Sequence, residues 1–152
     1  MAGRRAQVAA IGALLLAGCG SSEPDPVPAA CLSEPASVAR ALERVPASVS
    51  LEDGTPLSRC VRLAAARDGD LATLGVTLTA VADELRATAA TDDGDALRLG
   101  YLVGAVRRGA QQTPGVAAQL ARRIEQAATL GDGDPGTRAA LARGIRLGEA
   151  SG

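Results

Sequence analysis

Cysteine, arginine and the carboxylates are the residues of this 152-residue chain whose types and spacing could do chemistry. The cysteines are Cys19, Cys31 and Cys60, and paired cysteines form disulfides or bind metal ions. All 16 cationic residues are arginines, whose guanidinium groups bind phosphates and carboxylates in a bidentate geometry. The 17 acidic residues include the adjacent pair Asp83-Glu84 and several Asp-Gly-Asp sequences.

The residue types that are missing exclude whole classes of function. The chain has no His, Trp, Phe, Lys or Asn, and Tyr101 is its single aromatic residue. Without His there is no Ser-His-Asp or Cys-His nucleophile and no imidazole metal ligand. Without Lys there is no Schiff base and no P-loop, and one tyrosine cannot stack nucleic-acid bases. We therefore expect no catalytic activity, no metal or other cofactor and no nucleic-acid partner.

The first 22 residues have the pattern of an export signal. Two arginines precede an uncharged apolar run, Val8–Leu16, which is only about half as long as a membrane-spanning helix. The run ends in a four-residue motif, Leu16-Ala17-Gly18-Cys19. This motif resembles the lipobox of bacterial lipoprotein precursors. The resemblance implies that residues 1–18 are a cleaved signal peptide and that Cys19 is lipidated, usually with an acyl chain such as palmitate on its amino terminus.

The resemblance also implies where the protein lies. Two or three acyl chains anchor a protein stably, since each buried CH₂ contributes about 0.8 kcal/mol. We expect an extracytoplasmic protein anchored to the outer leaflet of the cell membrane, or to the outer membrane in a cell that has one. General secretion and twin-arginine export are both open, because Arg4-Arg5 precede the apolar run.

Residues 19–30 connect the lipobox to the rest of the chain. They are rich in proline and serine and lack apolar periodicity, which is typical of a disordered tether. At about 3.1 Å per residue, a tether of this length reaches roughly 35 Å. We therefore predict that residues 31–152 form a helical extracytoplasmic domain held near the membrane.

Cys31 and Cys60 are left as a possible pair once Cys19 is lipidated. Export would place both in a compartment where disulfides persist. A bridge would close a loop of about 30 residues and contribute about 3 kcal/mol in the chain-entropy model. We predict a Cys31–Cys60 disulfide, and two buried thiols are the alternative.

The arginines are concentrated toward the carboxyl terminus. Residues 20–95 carry 13 acidic residues and six arginines, whereas residues 96–152 carry eight arginines and four acidic residues. The second region contains two adjacent pairs, Arg107-Arg108 and Arg122-Arg123. These pairs predict a patch that binds an envelope protein or an anionic polymer. Alternatively, these arginines face water or pair with acidic helices.

Helices must position these residues. Four predicted helices begin at a polar residue that is followed closely by a proline; the prolines are Pro35, Pro56, Pro114 and Pro135. Two further helices follow the Asp-Gly-Asp turns at 68–70 and 93–95. Apolar residues recur three and four apart in all six segments. Examples are Leu71, Leu74, Leu78, Val81 and Leu85 in the third segment and Val116, Leu120 and Ile124 in the fifth. The sequence therefore predicts an all-α fold, a compact bundle of about six short helices.

Two GxxxG patterns, Gly100–Gly104 and Gly144–Gly148, lie on predicted helices. This spacing marks a dimer face in a membrane span, but arginines bound the first apolar run too closely for it to span. A helical glycine costs about 1 kcal/mol relative to alanine, so an interaction must favour these glycines. We expect close helix crossing inside a core without large aromatic residues.

The acidic residues offer two further sites, and neither has the spacing it needs. Asp83 and Glu84 are adjacent on a predicted helix and point about 100° apart, so they do not converge on one substrate. The Asp-Gly-Asp turns lack the EF-hand pattern, since the twelfth position counted from Asp132 is Arg143. We interpret these acidic residues as helix caps and solvated surface.

Two functions follow as hypotheses. The first is a non-catalytic, membrane-anchored interaction module whose partner is an envelope protein or polyanion. The alternative is a carrier of a small apolar or lipid-like ligand, held in a cavity lined by Leu99, Leu102, Val103 and the nearby glycines. The sequence indicates neither the partner nor the oligomeric state.

Overall fold

The computed structural model describes residues 25–111, 113, 115–131 and 133–152. A short 3₁₀ helix, Ala29–Leu32, is followed by six α-helices: α1 (Pro35–Leu42), α2 (Leu57–Ala64), α3 (Asp68–Ala89), α4 (Asp93–Ala110), α5 (Val116–Ala127) and α6 (Pro135–Ser151). These described residues contain no strand, and the predicted all-α fold is confirmed. None of these helices is both long and apolar enough to cross a membrane. The lipobox and Cys19 lie outside the described residues.

The helix starts follow the predicted capping chemistry most closely in α6. This helix begins at Pro135, and the Asp134 carboxylate accepts hydrogen bonds from the amides of Gly136 and Thr137 at 2.6 and 3.1 Å. Proline in the first turn has no amide that needs a partner, so the carboxylate satisfies the amides that follow. The predicted start at Pro114 lies outside the described residues, and α5 begins at Val116 after Gly115, whose φ is 104°.

The Asp-Gly-Asp sequences differ from the prediction in one respect. The two at 68–70 and 93–95 form the first turn of their helices rather than turns before them, because α3 begins at Asp68 and α4 at Asp93. Carboxylates in a first turn stabilise the positive end of the helix dipole. The cap of α4 lies one residue earlier, where Asp92 accepts a hydrogen bond from the Asp95 amide at 2.8 Å.

Helix α4 is the centre of the bundle and packs against α1, α2, α3, α5 and α6. Every residue from Leu99 to Val106 is buried. A helix that is apolar on all sides must be covered on all sides, and the nearly continuous apolar sequence of α4 meets this condition. Tyr101 is fully buried, and its hydroxyl accepts a hydrogen bond from the Val49 amide at 3.2 Å.

The glycines of α4 and α6 bring the backbones of these two helices into direct contact. Gly104 lies against Ile145 and Glu149, and Gly144 lies against Leu97 and Tyr101. A Cβ added at Gly144 would lie 2.8 Å from the Tyr101 amide nitrogen, which is closer than real Cβ contacts allow. The residues in contact advance together along both helices, so α4 and α6 run parallel. The GxxxG patterns therefore mark a helix crossing within the domain, as predicted.

The Cys31–Cys60 disulfide is also confirmed, with an S–S distance of 2.05 Å. It joins the 3₁₀ helix to α2, and both cysteines are fully buried. Val27 and Ala30, at the end of the segment predicted to be a tether, pack against the core.

Candidate functional site

An open groove lies between α3 and α5. We call it the α3/α5 groove; its volume is about 840 Å³. Its buried floor consists of Leu71 from α3 and Leu120 from α5, which are 3% and 8% exposed. Gly75 lies beside Leu120, and because glycine has no side chain, the two helices leave a depression at this point.

The sides of the α3/α5 groove carry apolar side chains that face solvent. Val76 is 73% exposed and Val116 is 59% exposed, and both line the groove. They are the only large apolar side chains that are mostly exposed among the residues that the structure describes. Single exposed apolar residues are ordinary on protein surfaces, but here both lie in one groove beside an apolar floor.

The rim of the groove on the α5 side is cationic. Arg122 and Arg123 are exposed, line the groove, and form no hydrogen bond or ion pair with any described residue. Asp68 is the only acidic residue in the lining, at the start of α3. Two unpaired guanidinium groups beside an apolar surface are suited to a carboxylate-bearing partner, because arginine binds carboxylates in a bidentate geometry.

Arg107, from the predicted arginine patch, is engaged within the fold. Its Nε donates to Glu125 Oε1 at 2.5 Å, and its Nη1 lies 3.4 Å from Glu149 Oε1. It therefore links α4 to both α5 and α6. The hydrogen bond to Glu125 raises the pKa of Arg107 above its usual value, although burial acts in the opposite direction. The guanidinium stays charged throughout the physiological range.

Arg108 has a different role from its neighbour. Its Nη1 donates to the carbonyl oxygens of Glu149, at 3.2 Å, and of Ala150. The last carbonyls of a helix lack partners within the helix, so Arg108 stabilises the carboxyl end of α6. It also lines a separate polar groove of about 350 Å³ with Arg59 and Arg62 of α2.

The predicted arginine patch is thus divided between two places. Arg122 and Arg123 lie together at the α3/α5 groove, whereas Arg107 and Arg108 fasten α4 to the helices around it. The sequence did not indicate this difference between the two arginine pairs, because the partners of Arg107 lie 18 and 42 positions further along the chain.

The residues named for an internal ligand cavity have a different environment. Leu99 and Leu102 are fully buried and Val103 is 2% exposed. The neighbouring Gly100 and Gly104 leave no free space, because the backbone of α6 lies directly against them. The space beside the glycines of α4 is occupied by helix α6 rather than by a ligand.

The α3/α5 groove was not predicted, although part of its signal is visible in the sequence. Val76 does not share the helical spacing of Leu71, Leu74 and Leu78, and an apolar residue off the core-facing series is expected to lie at the surface. The apolar spacing of Val116, Leu120 and Ile124 predicts one core-facing stripe, and this prediction is wrong for Val116, which is exposed at the start of α5.

The described residues form an all-α, disulfide-linked domain, and its α3/α5 groove has an apolar floor and a cationic rim. Comparison of the chain with models of protein families, with curated proteins and with solved structures finds no match. Its function is therefore inferred from its own residues and contacts.

Proposed function

We propose that this chain is a membrane-anchored bacterial lipoprotein whose helical domain is a non-catalytic interaction module, and that it binds a protein of the cell envelope through the α3/α5 groove. One observation carries the proposal. The two exposed large apolar side chains among the described residues, Val76 and Val116, lie in one groove beside the unpaired Arg122 and Arg123.

The anchoring part of the proposal is supported by the lipobox, which ends at Cys19. A disulfide between Cys31 and Cys60 is compatible with an oxidising compartment outside the cytoplasm. Both features favour a domain that works at the outer surface of a membrane.

A protein partner is favoured over an anionic polymer by the composition of the groove. A polyanion is bound mainly by charge, and an apolar floor adds little to its affinity. A protein partner gains from burying Val76, Val116 and the floor, and it can also pair with the two arginines. A carrier of an apolar ligand receives no comparable support, because α6 fills the space beside the glycines of α4.

The anchor is tested by replacing Cys19 with Ala. We expect the variant to leave the membrane fraction after a carbonate wash, whereas the natural chain stays. Mass spectrometry of the natural protein should show the added lipid on the peptide that begins at Cys19. Retention of Cys19→Ala in the washed membranes would contradict the anchor.

The interaction is tested by photo-crosslinking in the living cell. A photoreactive amino acid is placed at Val76 in the groove, and in a matched control at Ala142, which is exposed on α6. We expect one discrete protein adduct from position 76 and none from position 142. Equal patterns from both positions, or no adduct at position 76, would exclude the groove as the interaction surface.

A further inference from the structure

We infer that the occupant of the α3/α5 groove is an amphipathic helix of the partner, which places its apolar stripe between Val76 and Val116 and its acidic flank against Arg122 and Arg123. This inference rests on the proposed function, and it names the chemistry of the partner. The shape of the groove, the glycine beside its floor and the charge of its rim support it separately.

The shape of the groove suits a helix. Its two walls are themselves helices, and the ridges of side chains on a third helix pack into the depression between two others. The apolar residues of such a helix recur at i, i+3, i+4 and i+7, which gives a stripe narrow enough to lie between the two exposed valines. A flat membrane surface would meet the rim and leave the floor uncovered.

Gly75 gives a second reason to expect a closely packed occupant. Glycine within a helix is less favourable than alanine, so a core contact usually explains it. No such contact exists at Gly75, because a Cβ there would meet only Leu120 Cδ1 within 4 Å, at 3.5 Å, which is an ordinary distance. Gly100 and Gly144 differ, since the backbone of the neighbouring helix lies against them. The missing side chain at position 75 provides space on the solvent side, where a docked helix could approach the backbone.

The positive charge on the rim of the groove favours an occupant with negative charge where it meets the rim. Arg122 and Arg123 are one residue apart on the exposed side of α5, and no described residue neutralises them. Asp68 lies in the same groove and would repel a uniformly anionic surface, such as an acidic lipid bilayer. A helix with carboxylates on one flank only can pair with the arginines and avoid Asp68.

The experiment uses a designed peptide as the probe. The acidic peptide has about 20 residues, long enough to be helical, with leucines at i, i+3, i+4 and i+7 and glutamates along one flank. Its counterpart has the same leucines and lysines in place of the glutamates. Binding of each labelled peptide to the full chain carrying Cys19→Ala is measured by fluorescence anisotropy.

We expect the acidic peptide to bind at least about tenfold more tightly than the basic peptide, since opposite charges across an interface select the partner. The double variant Arg122→Glu with Arg123→Glu should reverse this preference. Val76→Asp should weaken binding of the acidic peptide at least tenfold, because it places a charge in the apolar contact. The matched control, Arg143→Glu with Arg146→Glu on the exposed face of α6, should bind as the natural chain does. Circular dichroism establishes that each variant is folded.

Several outcomes would overturn the inference. The proposal that the occupant is an acidic helix would be excluded by equal binding of the two peptides. It would also be excluded by a preference that the Arg122 and Arg123 variant does not change. Groove-dependent binding to vesicles of anionic phospholipid would identify a lipid surface as the occupant instead. Groove-dependent dimerisation in light scattering would identify a second copy of this chain.

Failure of the inference and failure of the proposed function give different results. If position 76 crosslinks to an envelope protein but the acidic peptide shows no preference, the interaction module stands and its partner is not an acidic helix. If position 76 gives no adduct in cells, the proposed function itself fails.

Discussion

The two helix pairs α4/α6 and α3/α5 both contain glycine at their contact, and they use it in opposite ways. In α4/α6 the glycines of each helix lie against the backbone of the other, and no space is left between them. In α3/α5 the single glycine, Gly75, meets only one side-chain atom, and a groove of about 840 Å³ stays open. The role of a helical glycine therefore depends on what lies opposite it. One pair closes the fold, and the other leaves a surface for something outside it.

The largest effect is expected from adding a side chain on α6 where its backbone contacts α4. Gly144→Ala should lower the free energy of unfolding by about 3 kcal/mol, because overpacking of this size forces the two backbones apart. The gain in helix propensity, about 1 kcal/mol, is smaller than this cost. Urea unfolding followed by circular dichroism measures the difference, and an unchanged midpoint would show that the α4/α6 contact is looser than described.

A smaller loss of stability is expected from removing the Tyr101 hydroxyl group, which lies beside the contact between α4 and α6. Tyr101 Oη accepts from the Val49 amide and lies 3.4 Å from Ser151 Oγ of α6. Tyr101→Phe should destabilise the domain by about 1–2 kcal/mol, because a buried amide then has no acceptor. Ser151→Ala is the control, and it should cost less because it leaves the bond to Val49 in place.

The open pair should respond to alanine with the opposite sign. Gly75→Ala should raise the free energy of unfolding by up to about 1 kcal/mol, because alanine is the better helix former and its Cβ makes an ordinary contact with Leu120. The same urea experiment, run beside Gly144→Ala, checks the comparison directly. If Gly75→Ala were as destabilising as Gly144→Ala, the two pairs would not differ in the way described.

The smallest effect on stability is expected at the exposed valine of the groove. Val76→Ser should change the free energy of unfolding by less than about 0.5 kcal/mol, because Val76 is 73% exposed. It should nevertheless weaken the crosslink formed from a photoreactive residue at position 116. A large loss of stability in this variant would mean that Val76 belongs to the core, and the groove would lose its apolar side.

The sequence predicted the parts of this fold that depend on local pattern. Apolar periodicity indicated the six helices, and the two cysteines left after the lipobox indicated the disulfide. The capping carboxylate of Asp134 was also visible, because a cap and its helix are adjacent in the chain.

The parts that depend on which helices meet could not be predicted. Arg107 and Arg122 look alike in the sequence, but only Arg107 forms ion pairs with Glu125 and Glu149 once the helices are packed. Val116 has the spacing of a core residue, but it is exposed, and the buried residue at the start of α5 is the neighbouring Ala117. Partners of this kind are decided by tertiary packing, which one sequence does not reveal.

The parallel course of α4 and α6 has a consequence for the route of the chain between them. Parallel helices cannot be joined by a tight turn, and Gly136 at the start of α6 lies close to Asp93 at the start of α4. The chain must therefore travel back along α4, whose 18 residues span about 27 Å, and α5 is the helical part of that return. The inner face of α5 is constrained by the core it covers, whereas its outer face is constrained by solubility and by the proposed partner. If the proposed partner is right, substitutions on that outer face change which partner binds and leave the contact between α4 and α6 unchanged.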